Sequence, residues 1–181
     1  MTDENKLIIE RKKKLNDSRE YQSPYPNNFD KIDSAKEIIE VYDSKSKEEV
    51  ELSKKEVSIA GRLLTIRLMG NSAFANLHDD SGKIQIYLQK KHVGDSAYKL
   101  FKIVDLGDIV GVRGEIFKTK TGELTINVSS IVLLSKSLRP LPEKFHGISD
   151  VEIKYRQRYL DLMTNQASKE VFLKRSIIIN H

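Results

Sequence analysis

Apolar and polar residues alternate along the middle of the chain, and this alternation restricts the possible folds more than any other feature of the sequence. Successive side chains of a strand point to opposite faces, so the pattern is typical of a sheet with one face on a core. Short turns rich in Gly, Asn, Asp and Ser separate the alternating segments, and these residue types favour tight connections. We predict strands at residues 57–69, 73–79, 83–89, 108–118 and 123–134, with a helix at residues 95–104.

The order of three strands, a helix and two strands indicates the fold class. It is the order of the OB-fold, a five-stranded Greek-key barrel whose open face commonly binds oligonucleotides. The prediction is an all-β core with appended helices, α+β overall: a five-stranded OB-fold barrel with N-terminal helices and a C-terminal linker. A different small barrel fits the same pattern.

Residues 1–56 are predicted to form an N-terminal helical extension. Residues 3–19 have the pattern of a short helix that carries the basic cluster 11–14. This cluster is either a solvated face or a face that follows an RNA backbone. Pro24 and Pro26 are expected to end the element, because proline cannot continue a helix.

The sequence also predicts a second N-terminal helix and the packing residues of the helix at residues 95–104. Ser34 stands three residues before Glu37, which is the spacing of a capping box, and Ile38 follows on the side expected to face a core. In the helix at residues 95–104, Tyr98 and Phe101 are the predicted packing residues.

Strand alternation also predicts which side chains point away from the barrel core. In the first strand Ile66 and Leu68 are assigned to the core, so Arg67, which lies between them, is predicted to point outward. In the fifth strand the apolar residues alternate with Thr125, which is predicted to lie outside. Four outward residues have the chemistry of a recognition surface: Arg67, Phe74, Gln85 and Glu123.

These four residue types suit the recognition of an unpaired base. A solvent-facing aromatic such as Phe74 gives a base a surface to stack on, worth about 1–3 kcal/mol. Gln85 offers both a donor and an acceptor, whereas Arg67 only donates and Glu123 only accepts. The competing interpretation is structural, with Phe74 packed under a neighbouring segment and Arg67 paired with Glu123 as a surface salt bridge.

Composition excludes several other classes of function. The longest apolar runs are far shorter than the ~20 residues of a membrane span, and the polar N-terminus is not a signal peptide. There is no cysteine, and the four histidines show no metal-ligand spacing, so we predict no metal site. The net charge is +5, with the basic excess after residue 56, which attracts phosphate backbones but is also compatible with an ordinary soluble surface.

Several consecutive motifs resemble one family. The segments "VSIAGRLLTIRLMGNSAFANLHDDSGKIQIYL" and "LGDIVGVRGEIFKTKTGELTI" are similar to the anticodon-binding OB domain of class II lysyl-tRNA synthetases. "LRPLPEKFHGISDVEIKYRQRYLDLM" resembles the segment that joins this domain to the catalytic domain, and "SPYPNNF" fits the N-terminal pattern. The aspartyl and asparaginyl relatives share the barrel, but "FKTKTGELTI" together with the joining segment favours the lysyl member.

The resemblance implies roles for individual residues. Phe74 corresponds to the aromatic that stacks on an anticodon base, and Gln85 to the residue that reads the central uracil, assisted by Arg67. Glu123 corresponds to an acceptor for another anticodon base. Lys118 and Lys120 lie in the loop between the last two strands, where the family approaches RNA, and are equally explained as solubilising charges. The aromatics of residues 144–163 are expected to pack between two domains, while Arg156 and Arg158 are candidates to face the tRNA.

For the full-length enzyme the resemblance implies lysylation of tRNA with ATP and Mg²⁺, a homodimer and a cytoplasmic location. Residues 135–181 would be the linker and the start of the catalytic domain, and "VFLKRSIIINH" resembles the beginning of the dimerisation helix of that domain. Because the family's ATP-binding motifs are not found in these residues, we assign no catalytic residue and no cofactor to this chain. The alternatives are a sequence-tolerant single-strand binder and an OB module that binds protein.

Overall fold

The structure is a computed structural model that describes residues 3–23, 25–141 and 150–181. It divides into two compact units, Met1–Pro140 and Leu141–His181. The role predicted for Pro24, and residues 142–149 of the joining segment, lie outside the described residues.

Five strands form a closed barrel in the first unit. They are β1 (Glu56–Met69), β2 (Ser72–His78), β3 (Lys83–Gln89), β4 (Ile109–Lys118) and β5 (Leu124–Ser135). The strand order is β1-β2-β3-β5-β4, with β3 and β5 parallel and the other pairs antiparallel. The predicted five-stranded OB barrel is confirmed, and each predicted strand end agrees with the structure within one residue.

The barrel closes because β1 pairs with two partners. Its first half pairs with β4 and its second half with β2, and the change of partner falls near Gly61 and Arg62. A Cβ atom on Gly61 would lie 2.5 Å from the carbonyl oxygen of His78. Only glycine therefore allows the two backbones to approach closely at this corner.

The core is filled by the inward residues of all five strands. Each large apolar side chain buried here contributes about 1.5–3 kcal/mol relative to exposure. The fully buried members include Ile59, Leu63, Leu77, Ile86, Leu88, Val110, Val112, Ile126 and Val128.

Among the described residues of the first unit, five helices are present: α1 (Asp3–Ser18), α2 (Ala35–Tyr42), α3 (Lys47–Ser53), α4 (Lys90–Val93) and α5 (Asp95–Ile103). The predicted capping box is present, since Ser34 accepts from the backbone N–H of Glu37 and the Glu37 carboxylate accepts from that of Ser34. In α5, Tyr98 and Phe101 are buried as predicted. Helices α3 and α4 were not predicted from the sequence.

The second unit contains α6 (Val151–Arg156), α7 (Arg158–Thr164) and α8 (Gln166–Ile179). The Asp161 side chain is buried and accepts from the Arg158 guanidinium at 2.7 Å. The same guanidinium lies 4.8 Å from the Tyr155 ring and 5.1 Å from the Phe172 ring. Arg158 is thus used within this unit, whereas Arg156 is exposed and pairs with Glu152 at 2.7 Å.

Candidate nucleic-acid interface

One open groove lies on the outer surface of the barrel, with a volume of about 770 Å³. It is bounded by β1, β2, β3 and the loop between β4 and β5. The lining residues include all four outward residues singled out from the sequence, together with Lys120 of the loop.

Strand register explains why these residues meet. Arg67 is the cross-strand partner of Phe74, and Phe74 is the partner of Tyr87. In the next row Gln85 pairs across with Thr125 of β5. Residues directly opposite one another on one face have side chains within contact distance, so two adjacent rows of outward side chains form the groove.

A β-bulge in β1 sets the direction of Arg67. Before the bulge, Ile59 and Leu63 point into the core, which would also turn residue 67 inward if the alternation continued. The register shifts between Leu63 and Thr65, and one extra residue reverses which positions face outward. Arg67 is exposed as a result.

The assignment of Leu68 to the core is wrong. Its side chain is 51% exposed, because β1 extends at this point into a hairpin with β2 beyond its pairing with β4. Ile66 packs against the core only partly. The end of β1 therefore projects from the barrel as one wall of the groove.

Phe74 has one ring face against another aromatic. Its ring centroid lies 4.5 Å from that of Tyr87, with the two planes at 32°. Phe74 is half-buried and lines the groove. Packing against Tyr87 fixes the ring's position, which lowers the entropy lost when a flat ligand stacks on it.

Gln85 is held by hydrogen bonds at both ends of its carboxamide. Its Nε2 donates to Oε2 of Glu123 at 2.8 Å, and its Oε1 accepts from the hydroxyl of Thr125 at 2.9 Å. Thr125 was predicted to lie outside the barrel, but its side chain is fully buried on the outward face. The structure thus adds Thr125 to the site, and alternation alone could not identify it because burial there depends on cross-strand neighbours.

The surface salt bridge considered between Arg67 and Glu123 is not formed. Within the described part of the chain, the partner of the Glu123 carboxylate is Gln85. The guanidinium of Arg67 is exposed at the wall of the groove.

The two lysines predicted to lie in the loop have different environments, because Lys118 is the last residue of β4 whereas Lys120 lies in the turn that follows. The hairpin is tight, with the Thr119 N–H bound to the Glu123 carbonyl at 3.0 Å, and it holds Lys120 over the groove. The ammonium of Lys118 donates to the backbone oxygen of Asp43, at the end of α2, at 2.6 Å. Lys118 thus joins the barrel to the N-terminal extension.

The basic cluster 11–14 also divides into two parts. Arg11 donates to the carbonyl oxygen of Ser137 at 2.7 Å, and Lys14 pairs with Asp105 at 2.7 Å. These two residues attach α1 to the barrel. Lys12 and Lys13 are exposed on the other side of the helix.

The described residues contain no group of three or more His, Asp or Glu side chains placed to hold a metal ion. In the same ranges, no helix has both the length and the apolar character needed to cross a membrane.

The barrel and its outer groove define a class of protein. Residues 57–134 match the sequence model of the family described as "OB-fold nucleic acid binding domain". Over 97–98% of its length the chain is similar to lysine–tRNA ligases, and its barrel matches the N-terminal region of these enzymes.

Three relatives illustrate the similarity. The chain is 50% identical over 177 residues to the lysine–tRNA ligase of Nitrosomonas europaea, which covers 98% of this chain and 35% of that enzyme. The lysine–tRNA ligase of Bacillus cytotoxicus is 48% identical, with 97% and 35% covered. That of Oceanobacillus iheyensis is 53% identical over 156 residues, with 86% and 32% covered. The chain spans about a third of the length of these relatives, and all three are the lysyl member favoured by the motifs.

Proposed function

We propose that the barrel binds the anticodon loop of a lysine-accepting tRNA and reads its bases in the groove described above. The observation that carries this proposal is the convergence of four chemically distinct side chains on one open groove. Proteins that read single-stranded RNA combine aromatic stacking with hydrogen bonds to base edges in this way.

Each groove residue has a separate role in the proposal. Phe74 stacks on a base, Gln85 reads the edge of the central uracil, and Arg67 donates to the same base. Glu123 accepts from a neighbouring base or orients Gln85. Lys120 contacts phosphate, and we give Lys118 a smaller part in phosphate contact because its ammonium already binds Asp43.

We further propose that the whole protein is a cytoplasmic, homodimeric lysine–tRNA ligase that activates lysine with ATP and Mg²⁺. This rests on the identity of about 50% to enzymes of that name. The present residues select the tRNA, and we assign the chemistry to parts of the relatives that this chain does not span.

The proposal divides the chain by role. Residues 1–56 form an N-terminal helical extension, residues 57–134 the anticodon-binding barrel, and residues 135–181 the linker and the start of a catalytic domain. The exposed apolar residues of α8, among them Ile177, Ile178 and Ile179, fit a surface that is covered in a larger assembly.

An anisotropy titration tests base reading. The chain is titrated with an anticodon stem-loop carrying a central uracil and with one carrying cytosine at that position, at one fixed salt concentration. Loss of the correct base contact should weaken binding by about 1–3 kcal/mol, or roughly tenfold to a hundredfold. Phe74→Ala should weaken both complexes, whereas Gln85→Ala should remove the difference between them.

Two results would contradict the proposal. Equal binding of both loops, unaffected by either substitution, indicates a basic barrel that holds single strands without reading them. No binding at low salt indicates an OB module that binds something other than RNA.

A further inference from the structure

The carboxamide of Gln85 lies between two groups with different hydrogen-bonding capacity. Glu123, on one side, presents a carboxylate that can only accept. Thr125, on the other side, presents a hydroxyl with a single proton. Its Oγ1 lies 2.9 Å from Oε1 of Gln85 and 3.1 Å from the carbonyl oxygen of Glu123, and it can donate to either of these acceptors.

This arrangement permits only one orientation of the carboxamide. With Nε2 toward Glu123, the amide donates to the carboxylate at 2.8 Å. Rotation of the amide by half a turn would bring Oε1 against Oε2 of Glu123, two acceptors without a proton between them. Thr125 alone does not impose the choice, because its hydroxyl could accept from Nε2 while donating to the Glu123 carbonyl. Glu123 selects the orientation, and Thr125 holds the amide in place.

The orientation decides which base edge the groove can bind. After both contacts are made, Gln85 keeps one Nε2–H and one Oε1 lone pair for a ligand. A uracil offers an N3–H donor beside a carbonyl acceptor, whereas a cytosine offers an N3 acceptor beside an N4 donor. For a base held in one position by stacking on Phe74, turning the amide over would exchange the preferred pyrimidine.

We propose that Glu123 and Thr125 are positioning residues that lock the Gln85 carboxamide in the orientation that accepts uracil and rejects cytosine. This inference rests on the proposed function and deepens it, because it transfers part of the base selection to residues that act through Gln85. Glu123→Gln is the informative substitution, since its amide can donate or accept at nearly the same size and so satisfies either orientation.

The test measures the affinity of the 181-residue chain for the uracil loop and the cytosine loop. In the unmodified chain the affinity for the uracil loop should exceed that for the cytosine loop by about tenfold to a hundredfold, and this factor is the ratio compared below. Glu123→Gln should reduce the ratio to about threefold, chiefly because the cytosine loop binds more tightly. A gain in affinity for the wrong base is not expected from a residue with a merely structural role.

Glu115→Gln is the matched control. Glu115 is an exposed carboxylate on β4 whose removal changes the charge of the barrel by the same amount. Its effect should be equal for both loops, so it measures the general electrostatic gain. Thr125→Val should weaken the uracil complex about three- to tenfold, the effect of one lost hydrogen bond, and Thr125→Ser should restore it.

The side-chain amide signals of Gln85 in the NMR spectrum of the free chain separate the two hypotheses. The Nε2 proton that is bound to the carboxylate should have a chemical shift clearly different from that of the other Nε2 proton. Glu123→Gln should reduce the difference between the two chemical shifts. If the unmodified chain prefers the uracil loop and Glu123→Gln keeps the full ratio of the two affinities, the proposed positioning role of Glu123 is overturned, while base reading by the groove stands. If both loops bind equally in the unmodified chain, base reading fails and base selection by the lock fails with it. Amide signals that still respond to Glu123→Gln would then support only the structural contact.

Discussion

At the scale of single residues, Asp79 shows how one carboxylate connects the N-terminal extension to the barrel. It accepts from the backbone N–H of Ala35 at 3.0 Å and from that of Gly82 at 2.9 Å, and it pairs with Lys31 at 3.1 Å. Burial would raise the pKa of Asp79, but these hydrogen bonds and that of Ser81 outweigh it and lower the pKa to about 2.

The lowered pKa makes a prediction about stability and pH. Because the folded-state pKa of Asp79 is below its unfolded value of 3.8, its contribution is present above pH 4 and is lost as pH falls toward 2. Asp79→Asn should reduce the free energy of unfolding by about 2 kcal/mol at pH 6, and the difference should shrink between pH 4 and pH 2.

Urea unfolding of both proteins at several pH values measures this difference. Asp80→Asn is the control, since that neighbouring carboxylate also pairs with Lys31 but has an 87% exposed side chain. Asp80→Asn should reduce the free energy of unfolding much less than Asp79→Asn does. A constant difference between Asp79→Asn and the unmodified chain from pH 6 to pH 2 would show that the Asp79 carboxylate is not the source.

At the scale of elements, the sequence predicts the strands better than the short helices. Long alternating segments with apolar cores define the β-strands, and all five were located. Helix α3 has a capping box of its own, Ser46 with Glu49, so its spacing could have been detected. Helix α4 has four residues and no side-chain cap, and its sequence carries no comparable signal.

The candidate site was predictable to the extent that local alternation determines it. Ile66 flanks Arg67, so the outward direction of Arg67 could be inferred without knowledge of the bulge that causes it. The burial of Thr125 and the exposure of Leu68 could not be inferred, because both depend on which strands are neighbours and where their pairing ends.

The pairing of β4 with β5 makes a prediction about Gly114. A Cβ atom at this position would lie 2.1 Å from the backbone oxygen of Asn127, and a backbone atom cannot move aside as a flexible side chain can. Gly114→Ala should therefore destabilise the barrel by at least about 1–3 kcal/mol.

Gly82→Ala is the matched control for Gly114→Ala, because the nearest atoms to its Cβ lie at 3.9 Å, an ordinary contact distance. Thermal unfolding followed by circular dichroism compares the two. Similar melting temperatures of Gly114→Ala and Gly82→Ala would contradict the prediction, and would mean that β4 and β5 separate near Gly114 at little cost in free energy.

At the scale of the whole molecule, a buried cluster of charges ties together segments distant in sequence. The ammonium of Lys136 is fully buried and lies 2.5 Å from a carboxylate oxygen of Asp105 and 2.6 Å from one of Asp108. Lys14 of α1 joins the cluster through Asp105. The cluster thereby links α1, the segment before β4 and the end of β5.

Removal of Lys136 should destabilise the first unit strongly. Lys136→Met leaves the fully buried Asp108 carboxylate without its cation, and breaking a buried ion pair typically costs about 3–5 kcal/mol. Lys14→Met should cost no more than about 1 kcal/mol, because its side chain is partly exposed. Urea unfolding measures both values, and equal losses would indicate that the cluster acts only by holding α1.

The salt dependence of the proposed RNA binding should distinguish Lys118 from Lys120. Each phosphate contact to a single strand contributes about −0.7 to the slope of log K against log salt concentration. Lys120 lines the groove, and its ammonium makes no hydrogen bond or ion pair with another described residue, so Lys120→Ala should make the slope shallower by about 0.7. Lys118 donates to the Asp43 carbonyl at 2.6 Å, and breaking that bond to reach a phosphate would offset much of the gain. Lys118→Ala should therefore change the slope less and reduce the stability of the contact between α2 and the barrel instead. Titrations at four or more salt concentrations measure both slopes, and equal shallowing by the two substitutions would mean that Lys118 leaves Asp43 when RNA binds.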